Sequence, residues 1–374
     1  MDLSAHAIDG ATPRRVERPA TAQDVARVLA DAHGAREAVV LHGGGTRIGV
    51  GDRPERYDIA LDLRDLRGIV EHSAPDLVCT VRAGTTLADL SSALAAAGQR
   101  WPVDVAEPGR ATVGGTIASA APSPSRLRFQ HPRDWIIGCE AVLGDGTIAR
   151  AGGRVVKNVT GYDLTRLYSG SYGTLVAITE VSLKLVATDA SRETFLLRGD
   201  AAELGRVALA LRASFPFEAL VIVSGAAPAL YARAAGGPDV IARATVELGR
   251  HGSYQQVSDA EWQGLVSRPI RETLVARCAV PYGREADVTA GDGLAYVGAG
   301  VSFALGHRSR DELVALRDRC ESLGGALILE GAPTDLKQAV GVWGRLRGSP
   351  RIARALKERF DPHSVLAPGR VPLA

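Results

Sequence analysis

The sequence predicts an α+β protein in two parts: a glycine-rich first domain that the C-terminus rejoins, and a cap domain built on an antiparallel sheet. Three observations predict it. Short alternating apolar runs bounded by glycine and polar clusters read as strands. Segments with helical apolar spacing and polar N-caps lie between them. Glycine clusters recur around 43–45, 114–115 and 170–173, each beside a strand or helix end. The expected division is residues 1–189, a cap from 190 to 345, and a returning segment from 346 to 374.

The chain has 374 residues, enough for two or three domains and a large core. Its net charge of +2 argues against a nucleic-acid-binding surface. The four cysteines, Cys79, Cys139, Cys278 and Cys320, form no CxxC pair, so no iron–sulfur or zinc site is expected. They read as small buried hydrophobes in a reducing compartment. The N-terminus lacks a basic segment followed by an apolar one, so no secretory signal is read. The most apolar run, 219–230, is too short to span a bilayer. These features lead to a cytoplasmic chain, with attachment to the inner membrane through partners left open.

In chain order, Thr21 is placed to cap a helix whose stripe is Val25, Val28 and Leu29. Val39 to Leu41 reads as a buried strand that runs into His42-Gly43-Gly44-Gly45-Thr46-Arg47. Successive glycines after a strand leave backbone N–H groups free to converge on an anion such as phosphate; the alternative is a plain flexible loop. Neither GxxxxGK[ST] nor an aligned GxGxxG is present. Strands are expected at 59–63, 69–70 and 77–83, the last ending at Gly84. A helix with Leu87, Leu90 and Leu94 on one face closes at Gly98. Thr112 can cap the next helix, from about Val113. Gly114 and Gly115 in its first turn cost roughly 1 kcal/mol each relative to Ala, which suits either a ligand lying against that backbone or close helix–strand packing.

A strand at 136–143 turns through Gly144-Asp145-Gly146 into 147–149. The stretch 154–185 carries Lys157 and Asn158, then a short helix with Leu164, Leu167 and Tyr168 on one face, a turn at 170–174, and a strand at 175–185. In that strand Leu175, Ala177, Thr179, Val181, Leu183 and Leu185 share one face by simple alternation. Beyond 190, strands are expected at 193–197, 219–223, 240–248, 273–280, 295–305 and 326–329. Helices are expected at 201–213 and after the capping box Ser309 to Glu312. A last helix starts at Ser349-Pro350 with the stripe Ile352, Leu356 and Phe360.

With the glycine sites in this order, the chain resembles the FAD-binding PCMH-type oxidoreductases of the vanillyl-alcohol oxidase/p-cresol methylhydroxylase fold. The matching residues are VVLHGGGTRIGVG (39–51), VCTVRAGTTLADL (78–90), PGRATVGGTIAS (108–119), the block 133–185 and the ending FDPHSVLAPGR (360–370). The KNVTGYD block points to the FAD-binding subunits of bacterial glycolate oxidases. The resemblance implies a two-part PCMH-type FAD-binding domain with an α+β antiparallel-sheet cap. It also implies where FAD lies: pyrophosphate at His42 to Arg47, flavin and ribityl chain along Pro108, Thr112, Val113, Gly114, Gly115 and Ala118, and the adenine half along Gly173, Thr174, Val176 and Ile178. Gly84 and Gly138 join this cofactor-binding set. His42 precedes the glycines rather than following them, so non-covalent FAD is expected.

The resemblance further implies an FAD-dependent 2-hydroxy-acid dehydrogenase. Hydride would pass from the substrate α-carbon to flavin N5, and electrons would leave through a second flavin subunit and an iron–sulfur subunit. The alternatives are a non-catalytic FAD-binding scaffold of such a complex, or a stand-alone oxidoreductase on another substrate. Relatives acting on hydroxy acids often bind a metal through paired cap histidines. Here the cap holds only His251 and His307, so no metal site is expected. Lys157 and Asn158 are the catalytic candidates, as groups that stabilise negative charge on the reduced flavin; a solvated turn is the alternative. Tyr162 (through its hydroxyl) and Asp163 (as a cap) read as structural, Trp101 and Trp135 as core. Arg128, His131 and Arg133 read as a surface patch or partner contact, with a substrate contact as the alternative, and His307-Arg308 as a weaker cleft candidate.

Overall fold

The computed structural model describes residues 2–153, 162–289, 291–345 and 348–372. The first layer follows from Thr21, whose hydroxyl accepts from Asp24 N and starts the helix Ala22–Ala35. Its buried Val25, Val28, Leu29 and Ala32 cover a small parallel sheet ordered Arg15–Glu17, Ile59–Asp62, Val39–His42. The tail completes this core: Val365 and Leu366 are fully buried in it, and Leu366 bridges Val39 in parallel.

Beside it stands a five-stranded antiparallel sheet ordered Ile69–Ser73, Val78–Arg82, Val176–Lys184, Ile136–Leu143, Ile148–Gly152. Val176–Lys184 is central and buried on both faces, which overturns the simple alternation expected for it. Glu140 pairs with Glu180 while Ala141 pairs with Ile178, so Thr179 is a bulged residue. The phase therefore changes: Val176 and Ile178 share a core with Val181, Leu183 and Leu185, while Ala177 packs into the core of the parallel layer.

The third layer is an eight-stranded antiparallel sheet built wholly from residues 191–331, in the order Tyr254–Val257, Ser191–Arg198, Ala229–Gly236, Ala219–Ser224, Gly293–Tyr296, Val301–Leu305, Val275–Ala279, Ala326–Gly331. Two expectations fail here. The segment 240–248 is not a strand but lies in the helix Pro238–Gly249, because Pro238 stands at N1 and Ile241, Ala244 and Leu248 recur at helical spacing. The run 295–305 is not one strand but part of a hairpin, because Gly298 and Gly300 have φ of +76° and +69° and reverse the chain. The expected helix after Ser309 is Arg310–Ser322, with both hydrogen bonds of the capping box.

The last helix, Pro350–Phe360, is held differently from its expected stripe, since Ile352 is 61% exposed. A buried lysine does the anchoring. Lys357 Nζ donates to Thr174 O at 2.7 Å, Leu366 O at 2.8 Å and Asp361 Oδ2 at 2.6 Å. Asp361, fully buried, also accepts from the N–H groups of Val365 and Leu366. This knot ties the tail to the turn at 171–174.

Candidate functional site

A cavity with an open volume of about 850 Å³ lies where the strand Val39–His42 ends. The loop after that strand forms one wall. The N-terminus of the helix Val113–Ala118 forms the second, and Tyr172, Gly173, Val176 and Ile178 the third. Three segments far apart in sequence thus meet around one space. Of the sequence-expected residues, His42, Gly43, Gly44, Gly45, Thr46, Arg47, Thr112, Gly114, Gly115, Ala118, Gly173, Val176 and Ile178 line it.

The glycines have reasons within the fold as well as toward the cavity. A Cβ on Gly44 would stand 1.6 Å from Arg110 O, and one on Gly43 2.5 Å from Thr112 Oγ1. The loop therefore lies directly on the 110–112 segment. A Cβ on Gly114 would meet Ala83 Cβ at 2.7 Å, so close helix–strand packing accounts for that glycine. Gly45, at φ +73°, has no heavy atom closer than 3.8 Å to its Cβ position and faces open space. The N–H groups of Gly43, Gly44, Gly45 and Thr46 have no hydrogen-bond acceptor among the described residues. Exposed donors on a concave turn are what an anion requires.

The remaining expected residues sit outside this cavity. Gly84 packs against Leu63, where a Cβ would be 2.0 Å from the carbonyl oxygen. Val113 is fully buried in the core, and Pro108 O accepts from Ala88 N. Gly138 lies in the strand Ile136–Leu143 against Gly153. Thr174 folds its hydroxyl back onto Ser171 O at 2.7 Å. Lys157 and Asn158 lie outside the described residues. Tyr162 is 94% exposed, so its hydroxyl does not brace the fold as expected, whereas Asp163 does cap the helix Leu164–Tyr168. Arg128 pairs with Asp189 at 3.7 Å, Arg133 is exposed, and His131 caps the turn Pro132–Trp135. His307 is exposed, Arg308 donates to Asp292 O at 2.9 Å, and neither lines the cavity.

Several lining residues are held by partners that carry no motif signal. His42 is 6% exposed, and its Nε2 lies 2.5 Å from Tyr57 Oη. The Tyr57 hydroxyl donates to His6 O at 2.8 Å, so His42 Nε2 carries a proton and donates to the Tyr57 oxygen. Burial, with positive neighbours adding to it, lowers its pKa to about 4. Arg47 is not a free cation: it pairs with Glu330, which also holds Arg277, and Arg277 reaches Tyr172 Oη at 3.3 Å. Burial would raise the Glu330 pKa, but the two guanidinium groups outweigh it and hold the carboxyl below its usual range. Two cations around one carboxylate leave a net positive charge where the eight-stranded sheet meets the loop. Arg370 adds another, satisfied by Ile48 O, Val50 O and Asp52 O rather than by a carboxylate. Arg370 had a sequence signal in the terminal Pro-Gly-Arg and His42 and Arg47 in the first glycine loop, whereas Tyr57, Arg277 and Glu330 had none.

These residues fit a dinucleotide cofactor. Free N–H donors and net positive charge suit a pyrophosphate, and Leu41, Ala118, Val176 and Ile178 supply apolar wall for ring systems. Comparison with known proteins agrees. Residues 13–152 match the family model described as an FAD binding domain. The glycolate oxidase subunit GlcD of Bacillus subtilis is 34% identical over 184 residues, covering 49% of this chain and 39% of that one. The glycolate oxidase subunit GlcE of Escherichia coli is 43% identical over 127 residues, covering 34% and 36%. The D-lactate dehydrogenase of Archaeoglobus fulgidus is 35% identical over 172 residues, covering 46% and 38%. The matches thus span well under half the length of each relative. Among solved structures, an alkyldihydroxyacetonephosphate synthase superposes with a TM-score of 0.71 at 15% identity, covering 94% of this chain and 75% of that one, and so shares the fold. Motif, cavity and domain match thus agree that residues 13–152 carry an FAD binding domain, in a chain that shares its fold with the alkyldihydroxyacetonephosphate synthase.

Proposed function

We propose that the chain is the FAD-binding subunit of a glycolate-oxidase-like 2-hydroxy-acid dehydrogenase. The observation that carries the cofactor placement is the cavity at the meeting of the loop 43–47, the helix Val113–Ala118 and the strand Val176–Lys184. The reaction class rests on relatives named as glycolate oxidase subunits and as a D-lactate dehydrogenase. The domain division at 189 and 345 belongs to the same reading, supported by the eight-stranded sheet being drawn only from 191–331.

The bound flavin supplies a hydride acceptor for the substrate α-carbon. The chain's own residues then have three tasks. The N–H groups of Gly43 to Thr46 bind the pyrophosphate, with the positive charge of the Arg47–Glu330–Arg277 cluster close by. Thr112 fixes the helix start that carries Gly114 and Gly115, its hydroxyl accepting from Gly115 N at 3.2 Å. The apolar walls exclude water from the ring. Lys157 and Asn158 are proposed, on their chemistry alone, to stabilise negative charge on the reduced ring. Binding is non-covalent in this reading, since His42 is the one histidine lining the cavity among the described residues and its Nε2 is engaged by Tyr57.

Electrons are proposed to leave through a second flavin subunit and an iron–sulfur subunit. Among the described residues no group of His, Cys, Asp or Glu is arranged to hold a metal, and no helix is long and apolar enough to cross a membrane. We place the chain in the cytoplasm, reaching the inner membrane through those partners. One anaerobic experiment tests the function. Glycolate or D-lactate is expected to bleach the flavin absorbance of the holoprotein or of its purified complex. A flavin in both preparations that no 2-hydroxy acid reduces would contradict the reading.

A further inference from the structure

An open groove of about 790 Å³ lies where residues 127–130 meet the layer built on the eight-stranded sheet, and it shares no lining residue with the cofactor cavity. Leu127 and Arg128 come from one side; Arg212, Phe217 and Tyr282 come from the other. Phe215 and Phe217, their ring centroids 4.8 Å apart, supply its apolar part. A buried carboxylate builds one wall. Glu285, 1% exposed, accepts from the N–H groups of Gly283, Gly298 and Gly300 at 2.7, 2.8 and 2.9 Å, and so holds the loop that carries Tyr282 against the hairpin turn.

That wall presents apolar surface to solvent. Tyr282 is 60% exposed and Leu209 43%. They stand together, since a Cβ on Gly283, the residue after Tyr282, would be 3.7 Å from Leu209 Cδ2 and 3.8 Å from Arg212 Nη1. The charge around them is one-sided. No carboxylate lines the groove among the described residues. The Arg212 guanidinium is 6.0 Å from the centre of the Tyr282 ring, and Arg126 lies beside the Tyr282 hydroxyl. Neither arginine makes an ion pair with a described residue, while Arg128 has Asp189 at 3.7 Å. Burial, with Arg277 and Arg133 adding to it, lowers the Arg126 pKa, so an anion at that point would be favoured. Exposed tyrosine and leucine ringed by guanidinium groups are what a protein interface uses as its anchor. The apolar surface, and a net charge of only +2, speak for a polypeptide rather than a nucleic acid.

We propose that this groove docks an acidic segment of a partner protein, with carboxylates of the segment meeting Arg126 and Arg212 and one aromatic side chain entering between Leu127 and Tyr282. Charge complementarity selects that occupant: two guanidinium groups without counter-charges flank the apolar surface, so a basic or neutral segment would leave them unanswered. The inference rests on the reading that electrons leave through partner subunits, and it gives one of them its place. The place suits that task because a run of side chains leads back to the cofactor cavity. Arg126 stands near Arg277, and Arg277 reaches the hydroxyl of Tyr172, which lines the cavity.

The test titrates the FAD-loaded protein against labelled probes and reads fluorescence anisotropy. The probes are a peptide of glutamates around a central phenylalanine, the same peptide with lysines for glutamates, and an oligothymidylate of equal length. We expect the glutamate peptide to bind, more weakly as salt is raised, and the lysine peptide not to bind. Arg212→Glu and Tyr282→Ala should each weaken the glutamate peptide by at least about tenfold, with FAD affinity and melting temperature unchanged. Arg351→Glu alters an exposed cation on the last helix by the same charge and should leave the peptide's affinity as it was. No binding of the glutamate peptide, equal binding of the lysine peptide, tighter binding of the oligothymidylate, indifference to both groove substitutions, or an equal loss in Arg351→Glu would overturn the proposal. Binding that obeys the groove substitutions in a protein whose flavin no 2-hydroxy acid reduces would uphold the surface and defeat the proposed reaction. A reducible flavin without that binding would defeat the surface alone.

Discussion

Replacing Gly44 with alanine tests how the cofactor loop is built. The new Cβ would lie 1.6 Å from Arg110 O, 2.5 Å from Arg110 C and 3.2 Å from Ala111 N. These are backbone atoms, so no rotamer change relieves the clash. Carbon and oxygen need roughly 3.3 Å between them, so the two backbones must separate by more than an ångström. Over-packing of this kind costs about 1–3 kcal/mol, and more where neighbours cannot yield. The Arg110 segment cannot yield freely, because Ala111 O accepts from Leu87 N and Thr112 caps the helix Val113–Ala118. The loop is therefore displaced and its N–H groups leave their positions. The expected result is a lower melting temperature and at least about a tenfold loss of FAD affinity, equivalent to about 1.4 kcal/mol. Gly45→Ala is the control. Its Cβ would have open space, so only the strain of φ +73° applies, about 1–2 kcal/mol. The pair is measured by FAD titration and thermal melting. If Gly44→Ala binds FAD like the parent and melts with it, the loop does not rest on Arg110 as described.

Glu330→Gln should destabilise the protein by about 3–5 kcal/mol, since it leaves Arg47 and Arg277 buried without a counter-charge; chemical denaturation showing no change would refute that. Lys357→Ala should cost a similar amount by stranding the buried Asp361 carboxylate, whereas Lys357→Ala combined with Asp361→Asn should recover part of the loss. Acid should destabilise the fold through His42. Its pKa falls from 6.5 unfolded to about 4 folded, so the unfolded state binds more protons between those values and stability drops as pH falls from about 6.5 to 4, by about 3 kcal/mol in full. His42→Gln should flatten that part of the melting-temperature profile, and an unchanged slope would contradict the assignment.

Much of the fold was legible because its signals are local. Thr21, Thr112 and Ser309 each cap the helix read from them, and the strand before the first glycine loop ends one residue past the expected Leu41. What failed was non-local or ambiguous. A run such as VIARATVEL carries both strand-like branching and helical spacing, and only Pro238 settles it. The bulge at Thr179 depends on its partner strand, which no single stretch encodes. The site divides in the same way. Its glycines announced themselves, although Gly43, Gly44 and Gly114 also answer to packing within the fold. The Arg47–Glu330 pair joins residues 283 positions apart, and no motif announces it.

Hydrogen exchange measured with and without FAD bears most directly on the central claim, that the dinucleotide lies against the loop 43–47, the helix Val113–Ala118 and the start of the strand Val176–Lys184. The amides of Gly43 to Thr46 have no acceptor among the described residues, so they should exchange quickly in the apoprotein. FAD should slow them markedly, together with peptides covering 112–119 and 172–178. A protein that binds FAD while those peptides exchange at their apoprotein rates, with protection arising elsewhere, would contradict it.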